Sequence, residues 1–357
     1  MNLIDLGWSD TFAHSFVPYA AKGYSVGRVA VVYRSQYRLY TEQGEMTAEL
    51  TGKFRHQTQA SEHFPTVGDW VVIQTPAETN PALIEAVLPR KSQFSRQAAG
   101  TRTVAQIIAA NVDTLFLING LDQDFNLRRI ERYLVMAWES GANPVIVLNK
   151  ADLCENLDQT IRAVEDIAFG VPIIPLSALQ QDNLEALNPY LKPGHTITLL
   201  GSSGVGKSTL TNQLMGTDIQ STQTVRDDDS KGRHTTTSRT MLRLPSGSLL
   251  IDTPGMRELQ LWLAEDSLDE TFTDIETLAQ QCRFRDCRHQ AEPGCAIQAA
   301  LASGELSPKR LGSYQKLQKE QAYVLRQQDK QAQSNSKARW KAMTKTSRQN
   351  TKRQNHF

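Results

Sequence analysis

The sequence predicts a chain in three parts: a small β-barrel, for which the oligonucleotide-binding type is one candidate, an α/β domain around a phosphate-binding loop, and a helical module tied by a metal. Three observations predict it. The first hundred residues carry short apolar runs punctuated by Gly and Pro. From Val112 onward apolar runs alternate with helical spacings, the signature of a parallel sheet covered on both faces. Then three cysteines and a histidine fall between 282 and 295.

A length of 357 residues suits two or three domains, each able to bury a core. The net charge is only +1, but residues 331–357 hold Lys337, Arg339, Lys341, Lys345, Arg348, Lys352 and Arg353 with no acid, so the first 330 residues sum to −6. A basic tail on an acidic body suits either an arm for nucleic acid or a disordered, solvating end. No run approaches the roughly 18–20 apolar residues of a membrane span, and residues 1–16 lack a basic segment followed by an apolar one. With cysteines clustered as for metal rather than disulfides, a cytoplasmic location is expected.

In the barrel, Ser25 to Tyr40 is rich in Val and Tyr, and Glu42-Gln43-Gly44-Glu45 makes a turn. Met46, Ala48 and Leu50 alternate; Val67 to Ile73 and Leu83 to Leu88 supply further strands. Arg90, Lys91 and Arg96 beyond them suit either phosphate contact or a solvated linker.

The α/β part begins with the apolar run Val112 to Ile118, and Leu127, Ile130, Leu134 and Trp138 follow at helical spacing. Pro144 to Leu148 is a strand; Ile161, Val164 and Ile167 mark a helix; Val171 to Leu176 and Thr196 to Leu200 are strands. Arg239 to Leu244 and Leu249 to Ile251, hinged at Pro245-Ser246-Gly247, form a hairpin. Beyond about Leu259 the chain turns helical and polar, and a helix opens at Ser307-Pro308, an N-cap followed by proline at the first position.

Gly201-Ser202-Ser203-Gly204-Val205-Gly206-Lys207-Ser208-Thr209 fits the phosphate-binding pattern G-x-x-x-x-G-K-[ST] and lies between a strand and a helix. Glycines let the backbone wrap phosphate oxygens, and the loop N–H groups with the new helix N-terminus face the negative charge. Lys207 is placed to reach the β- and γ-phosphates and Ser208 to ligate Mg²⁺.

Asn149-Lys150-Ala151-Asp152 follows a strand. A carboxylate at Asp152 accepts from guanine N1–H and its exocyclic amine, a pattern adenine lacks. Asn149 suits the other edge of the base, and the Lys150 stem lies over the ring. After the next strand, Ser177-Ala178 offers the Ala178 N–H to guanine O6. GTP is therefore favoured over ATP, because buried polar groups left unpaired penalise the wrong base.

Asp252-Thr253-Pro254-Gly255 ends a strand, where Asp252 holds Mg²⁺ and the Gly255 N–H senses the γ-phosphate. One of Thr235, Thr236 and Thr237, with Thr236 preferred, completes the Mg²⁺ shell. Met256 stands where many GTPases carry a water-orienting glutamine; His234 is either its substitute or a surface histidine. Cys282-x₄-Cys287-x-His289-x₅-Cys295 supplies a closed set of four ligands for one structural Zn²⁺. Cys154 is read as an ordinary thiol.

These motifs occur in rotated order: the base-reading elements precede the phosphate loop. With Val67-Gly68-Asp69-Trp70, Leu88-Pro89-Arg90-Lys91-Ser92, Asn111-Val112-Asp113 and the cysteine cluster, the chain resembles the circularly permuted ribosome-assembly GTPases of the RsgA family. The resemblance implies an oligonucleotide-binding barrel with an N-terminal extension (1–100), a permuted GTPase domain (101–262), a helical zinc domain (263–330) and a basic tail (331–357). It also implies GTP hydrolysis, with catalytic roles for Lys207, Thr236 and His234, stimulated by the small ribosomal subunit. The chain is then a late maturation factor that binds 16S rRNA, is released or reset on hydrolysis, and acts as a monomer off the membrane. A non-catalytic RNA-binding module is the rival reading, and intact Lys207, Ser208 and Asp252 argue against it. An ATP-dependent kinase is disfavoured by Asp152 and Ala178.

Overall fold

A computed structural model describes residues 1–34, 36–58, 61–75, 81–97, 105–217, 239–252, 265–290, 292–323 and 326. The barrel is formed by β1 (Ser25–Val32), β2 (Tyr37–Thr41), β3 (Gly44–Leu50), β4 (Trp70–Gln74) and β5 (Ala82–Val87). It runs β1-β2-β3-β5-β4 and closes through β1–β4, with Ser25 opposite Ile73 and Arg28 opposite Trp70. Val29, Leu39, Ala48, Val71, Ile73 and Ile84 fill its interior. The run Ser25 to Tyr40 is two strands, broken where the Tyr33 N–H donates to the Gln36 carbonyl.

A helix not anticipated from the sequence, α1 (Asp10–Ala20), seals the barrel's outer face. Phe12 and the half-buried Trp8 bring their rings against the fully buried Trp70, and the half-buried Phe16 packs on Trp8. Pro18 lies within this helix and, having no N–H, forgoes the backbone hydrogen bond to the His14 carbonyl.

Next come β6 (Gln93–Gln97) and β7 (Ala105–Ala110), a two-stranded ribbon not anticipated from the sequence. Arg90 and Lys91 each have a partner within the fold. Arg90 is bidentate to the fully buried Asp69, at 2.8 Å for both bonds, and Lys91 Nζ sits 4.7 Å from the centre of the Phe12 ring. Nothing is described of the Arg96 side chain.

The α/β part adds β8 (Thr114–Gly120), α3 (Leu127–Ser140), β9 (Asn143–Asn149), α4 (Leu157–Glu165), β10 (Ile173–Pro175), β11 (Thr196–Leu200), α5 (Lys207–Met215), β12 (Thr240–Arg243) and β13 (Leu249–Asp252), after the short α2 (Gly52–Gln57) of the barrel region. Its order is β10-β9-β8-β11-β13-β12, all parallel except β12. Side chains of β8 alternate between two cores. Leu115 and Leu117 face α3, while Phe116 and Ile118 face the side of α5. The middle of such a strand, Leu115 to Ile118, is apolar because both of its faces are covered. The expected hairpin is present, β12 pairing antiparallel with β13. β12 also pairs with β1 at Val31–Thr240, so among the described residues barrel and α/β strands share one continuous sheet.

The C-terminal part comprises α6 (Glu265–Thr271), α7 (Thr273–Gln280), α8 (Ala296–Ser303) and α9 (308–323). Ser307 caps α9 as expected, its hydroxyl accepting from the Lys309 N–H at 3.3 Å. Phe272, Ile275, Leu311 and Tyr314 join the α3-side core. A buried ion cluster pins the joint: Arg310 meets Glu131 of α3 at 2.9 Å and Asp274 of α7 at 2.6 Å. No helix among the described residues is long and apolar enough to cross a membrane.

Candidate nucleotide and metal sites

Ligands of open parallel sheets gather beyond the carboxyl ends of the strands. At that edge lie the ends of β8 at Gly120, β9 at Asn149, β11 at Leu200 and β13 at Asp252, with Ser177 two residues beyond β10. The sheet therefore brings together the phosphate loop, Asn149 to Asp152, Ser177, Ala178 and Asp252.

Gly201 leads into the loop, where a side chain would run into the Ile118 carbonyl. Gly204 and Gly206 take left-handed φ of 79° and 95°, and a Cβ at Gly206 would collide with the Asn149 amide nitrogen. Only glycine meets both demands. Lys207 opens α5 and folds back over the loop, Nζ donating to the Gly201 carbonyl at 2.7 Å and to the Ser202 carbonyl. Ser208 and Thr209 follow in the first turn; Ser203 and Gly204 are exposed and Val205 is buried.

Asn149 is 2% exposed and joins the two halves of the site. Its Nδ2 donates to the Val205 carbonyl of the phosphate loop at 2.8 Å, and its Oδ1 accepts from the Ala178 N–H at 2.9 Å. The side chain expected to face the base is thus first a tie between loops. Ser177 is buried, with its hydroxyl accepting from the Gln180 N–H. Asp152, by contrast, is exposed in a short 3₁₀ turn (Ala151–Leu153). Lys150 sits at φ 62°, and its ammonium is held by Asp122.

That acid, and Asp124 beside it, belong to the turn after β8, which sequence reading passed over. Asp124 accepts from the phosphate-loop Ser202 hydroxyl at 2.8 Å and pairs with Arg129 at 2.9 Å. The Arg129 hydrogen bond chiefly holds the Asp124 carboxyl below its ordinary value, against some desolvation. Burial would raise the Asp122 carboxyl, but hydrogen bonds from Lys150 and the Asp124 N–H outweigh it and bring it below the ordinary range. The signal was available: two acids directly after an apolar strand, at the same edge as every other motif.

His234, Thr235 to Thr237, Gly255 and Met256 lie outside the described residues, as does the basic tail.

Cys282, Cys287, His289 and Cys295 bring one ligand atom each to within 4.8 Å of one another. Cys282 Sγ lies 3.9 Å from Cys295 Sγ, and each of these sulfurs is 3.6 Å from His289 Nδ1. Four donors around a tetrahedral Zn²⁺, with bonds of about 2.3 Å to S and 2.0–2.1 Å to N, stand about 3.6–3.8 Å apart. The donor set fits that ion. Glu292 braces the loop by accepting from the Arg288 and Gln290 N–H groups at 2.9 and 2.8 Å.

A closed five-stranded barrel, a permuted α/β domain with a phosphate loop, and a Cys₃His module define a circularly permuted P-loop GTPase. The RsgA GTPase family model matches residues 87–262. The chain is 48% identical over 350 residues to a small ribosomal subunit biogenesis GTPase RsgA of Opitutus terrae, covering 96% of this chain and 95% of that one. It is 50% identical over 301 residues to the RsgA 2 protein of Lactiplantibacillus plantarum, covering 84% of each. Among solved structures, YjeQ from Thermotoga maritima superposes with a TM-score of 0.64 at 30% identity, covering 84% of this chain and 99% of that one. YloQ, described as a circularly permuted GTPase, gives 0.62 at 26% identity, covering 84% and 95%. The chain belongs to the RsgA GTPase family.

Proposed function

We propose that the chain hydrolyses GTP as a maturation factor of the small ribosomal subunit, binding rRNA and being released or reset by hydrolysis. The observation that carries the nucleotide site is the Asn149 bridge, which ties the Ala178 N–H to the Val205 carbonyl and so sets the base-reading loop against the phosphate loop. Asp152 reads guanine from its exposed position, and the Ala178 N–H, which Asn149 Oδ1 accepts here, is shared with O6 when the base is bound. The loop N–H groups of 201–209 cradle the phosphates, and Lys207 leaves its carbonyls for the β/γ oxygens. Ser208, Asp252 and Thr236 hold Mg²⁺, which neutralises charge on the β- and γ-oxygens when bound. Gly255 senses the γ-phosphate, and His234 polarises the attacking water in place of the glutamine that Met256 cannot mimic.

Cys282, Cys287, His289 and Cys295 hold one Zn²⁺ that folds the 280–300 loop; with four protein ligands no position is left for chemistry. The ribosomal role rests on the relatives, which are named small ribosomal subunit biogenesis GTPases. A cytoplasmic, monomeric factor follows from it. The division 1–100, 101–262, 263–330 and 331–357 is retained, with the β6–β7 ribbon straddling its first boundary.

The test compares GTP hydrolysis by the purified chain alone, with small subunits and with large subunits. Stimulation by small subunits alone is expected. A rate indifferent to subunits sinks the ribosomal role, and no hydrolysis under any condition sinks the enzyme.

A further inference from the structure

We propose that Asp122 is a positioning residue of the nucleotide site: it anchors the Lys150 ammonium so that the lysine stem is already laid out where the base must stack. This rests on the GTP reading above and adds a residue to it.

The geometry has three parts. First, the turn after β8 is built to bring this carboxylate back to the strand edge. Gly120 ends β8 opposite Asn149, and a Cβ there would stand 3.1 Å from Asp122 Oδ1, so the missing side chain leaves room for the carboxylate. Second, the two oxygens divide their work. Oδ1 accepts from the Asp124 N–H at 3.1 Å, closing an Asx turn, and Oδ2 takes the Lys150 Nζ. Third, neighbouring contacts fix the two strand ends together: the Leu121 N–H donates to the Asn149 carbonyl at 2.8 Å. Lysine and acid are each about a quarter exposed, at 25% and 28%, so the pair is sheltered without being sealed.

A free lysine has four rotatable bonds to order before its stem can cover a base, and that cost falls on nucleotide affinity. Asp122 removes much of it beforehand. It also gives the ammonium a partner on the protein side, so the cation need not be solvated across the face of the base. The anchor acts on the base half of the nucleotide, which GDP and GTP share. Its effect is therefore uniform binding, not transition-state stabilisation.

The test uses the full chain and fluorescent GDP. Asp122→Asn keeps an acceptor for the Asp124 N–H and deletes the ion pair. Asp122→Ser, which also supports the turn, guards against a folding artefact, with thermal unfolding followed in parallel. GDP and a non-hydrolysable GTP analogue should both weaken by the same factor, about three- to fivefold at low salt, shrinking as salt rises. In steady state the loss should fall in KM. On a Lys150→Met background, Asp122→Asn should change affinity by less than about twofold, because its partner is already gone.

An equal loss in both backgrounds would overturn the proposal, since Asp122 would then act through the fold. Tighter binding on removing the charge would also overturn it, as would unchanged affinity. These failures leave the nucleotide reading standing. A wild-type chain with no preference for GDP over ADP would bring down both.

Discussion

Removing Arg310 should loosen the joint between the C-terminal helices and α3 in a way that depends on pH. Its guanidinium spans Glu131 at 2.9 Å, Asp274 at 2.6 and 2.8 Å, and the Thr271 carbonyl at 3.0 Å. Arg310→Met keeps most of the volume and strands Glu131, whose side chain is 3% exposed. Asp274, at 28%, can turn to water. Burial already pushes the Glu131 carboxyl up, against the pull of Ser313 and Arg310, so without Arg310 it will protonate rather than stay charged. Protonating a carboxyl of ordinary value 4.5 costs at most about 3.4 kcal/mol at pH 7 and about 0.7 kcal/mol at pH 5. Whatever penalty Glu131 carries beside Arg310 reduces both figures. A loss of about 3 kcal/mol at pH 7 is therefore expected, shrinking to about 1 kcal/mol at pH 5. Urea unfolding of both proteins at the two pH values measures it, and hydrogen exchange of α9 amides assigns the loss to this joint. On the variant, Glu131→Gln should restore stability at pH 7 and do little at pH 5. A loss below about 1 kcal/mol at pH 7, or one equal at both pH values, would refute the stranded-charge argument.

Asp152→Asn should weaken GDP and GTP by more than about tenfold while improving acceptance of the xanthine nucleotide, whose 2-oxo group pairs with an amide; unchanged GDP affinity in a titration would remove Asp152 from base reading. Cys287→Ser should lose stoichiometric zinc in elemental analysis and expose residues 280–300 to protease, with GDP binding retained. Finding zinc at full occupancy in the variant would unseat Cys287 as a ligand. The Asp122 and Asp124 carboxyls both lie below their ordinary 3.8, so what they contribute to stability is present above that pH and lost as pH falls through their folded values. Replacing both with Asn should flatten the fall of stability below pH 4, and an unchanged slope in acid unfolding curves would show that their folded values are ordinary.

Short-range patterns carried a great deal. The phosphate loop, Asp152 and the cysteine spacing each need particular atoms within a few residues of one another, so they are legible in one dimension. The β8 and β9 strands were legible for a related reason: a strand covered on both faces is apolar through its middle, and its buried polar residues fall near its ends. Helix α1 and the β6–β7 ribbon were not. The packing of Trp8 and Phe12 on Trp70, with Phe16 against Trp8, decides the helix, and that contact spans some sixty residues of chain. Arg90 stays open in the sequence between phosphate contact and a solvated linker because its partner Asp69 lies 21 residues away along the chain.

The tertiary structure decided the partnerships inside the site. Asn149 reads as a base contact in its motif, yet the sheet delivers both Val205 and Ala178 to it, 56 and 29 residues away. Asp122 and Asp124 match no motif and gain meaning only because β8 lies between β9 and β11, which puts their turn against Lys150 on one side and Ser202 on the other. Sequence determines which groups a chain can offer a ligand. Which of them are first engaged with one another depends on strand order, because hydrogen bonds and ion pairs act over a few ångströms in space regardless of separation along the chain.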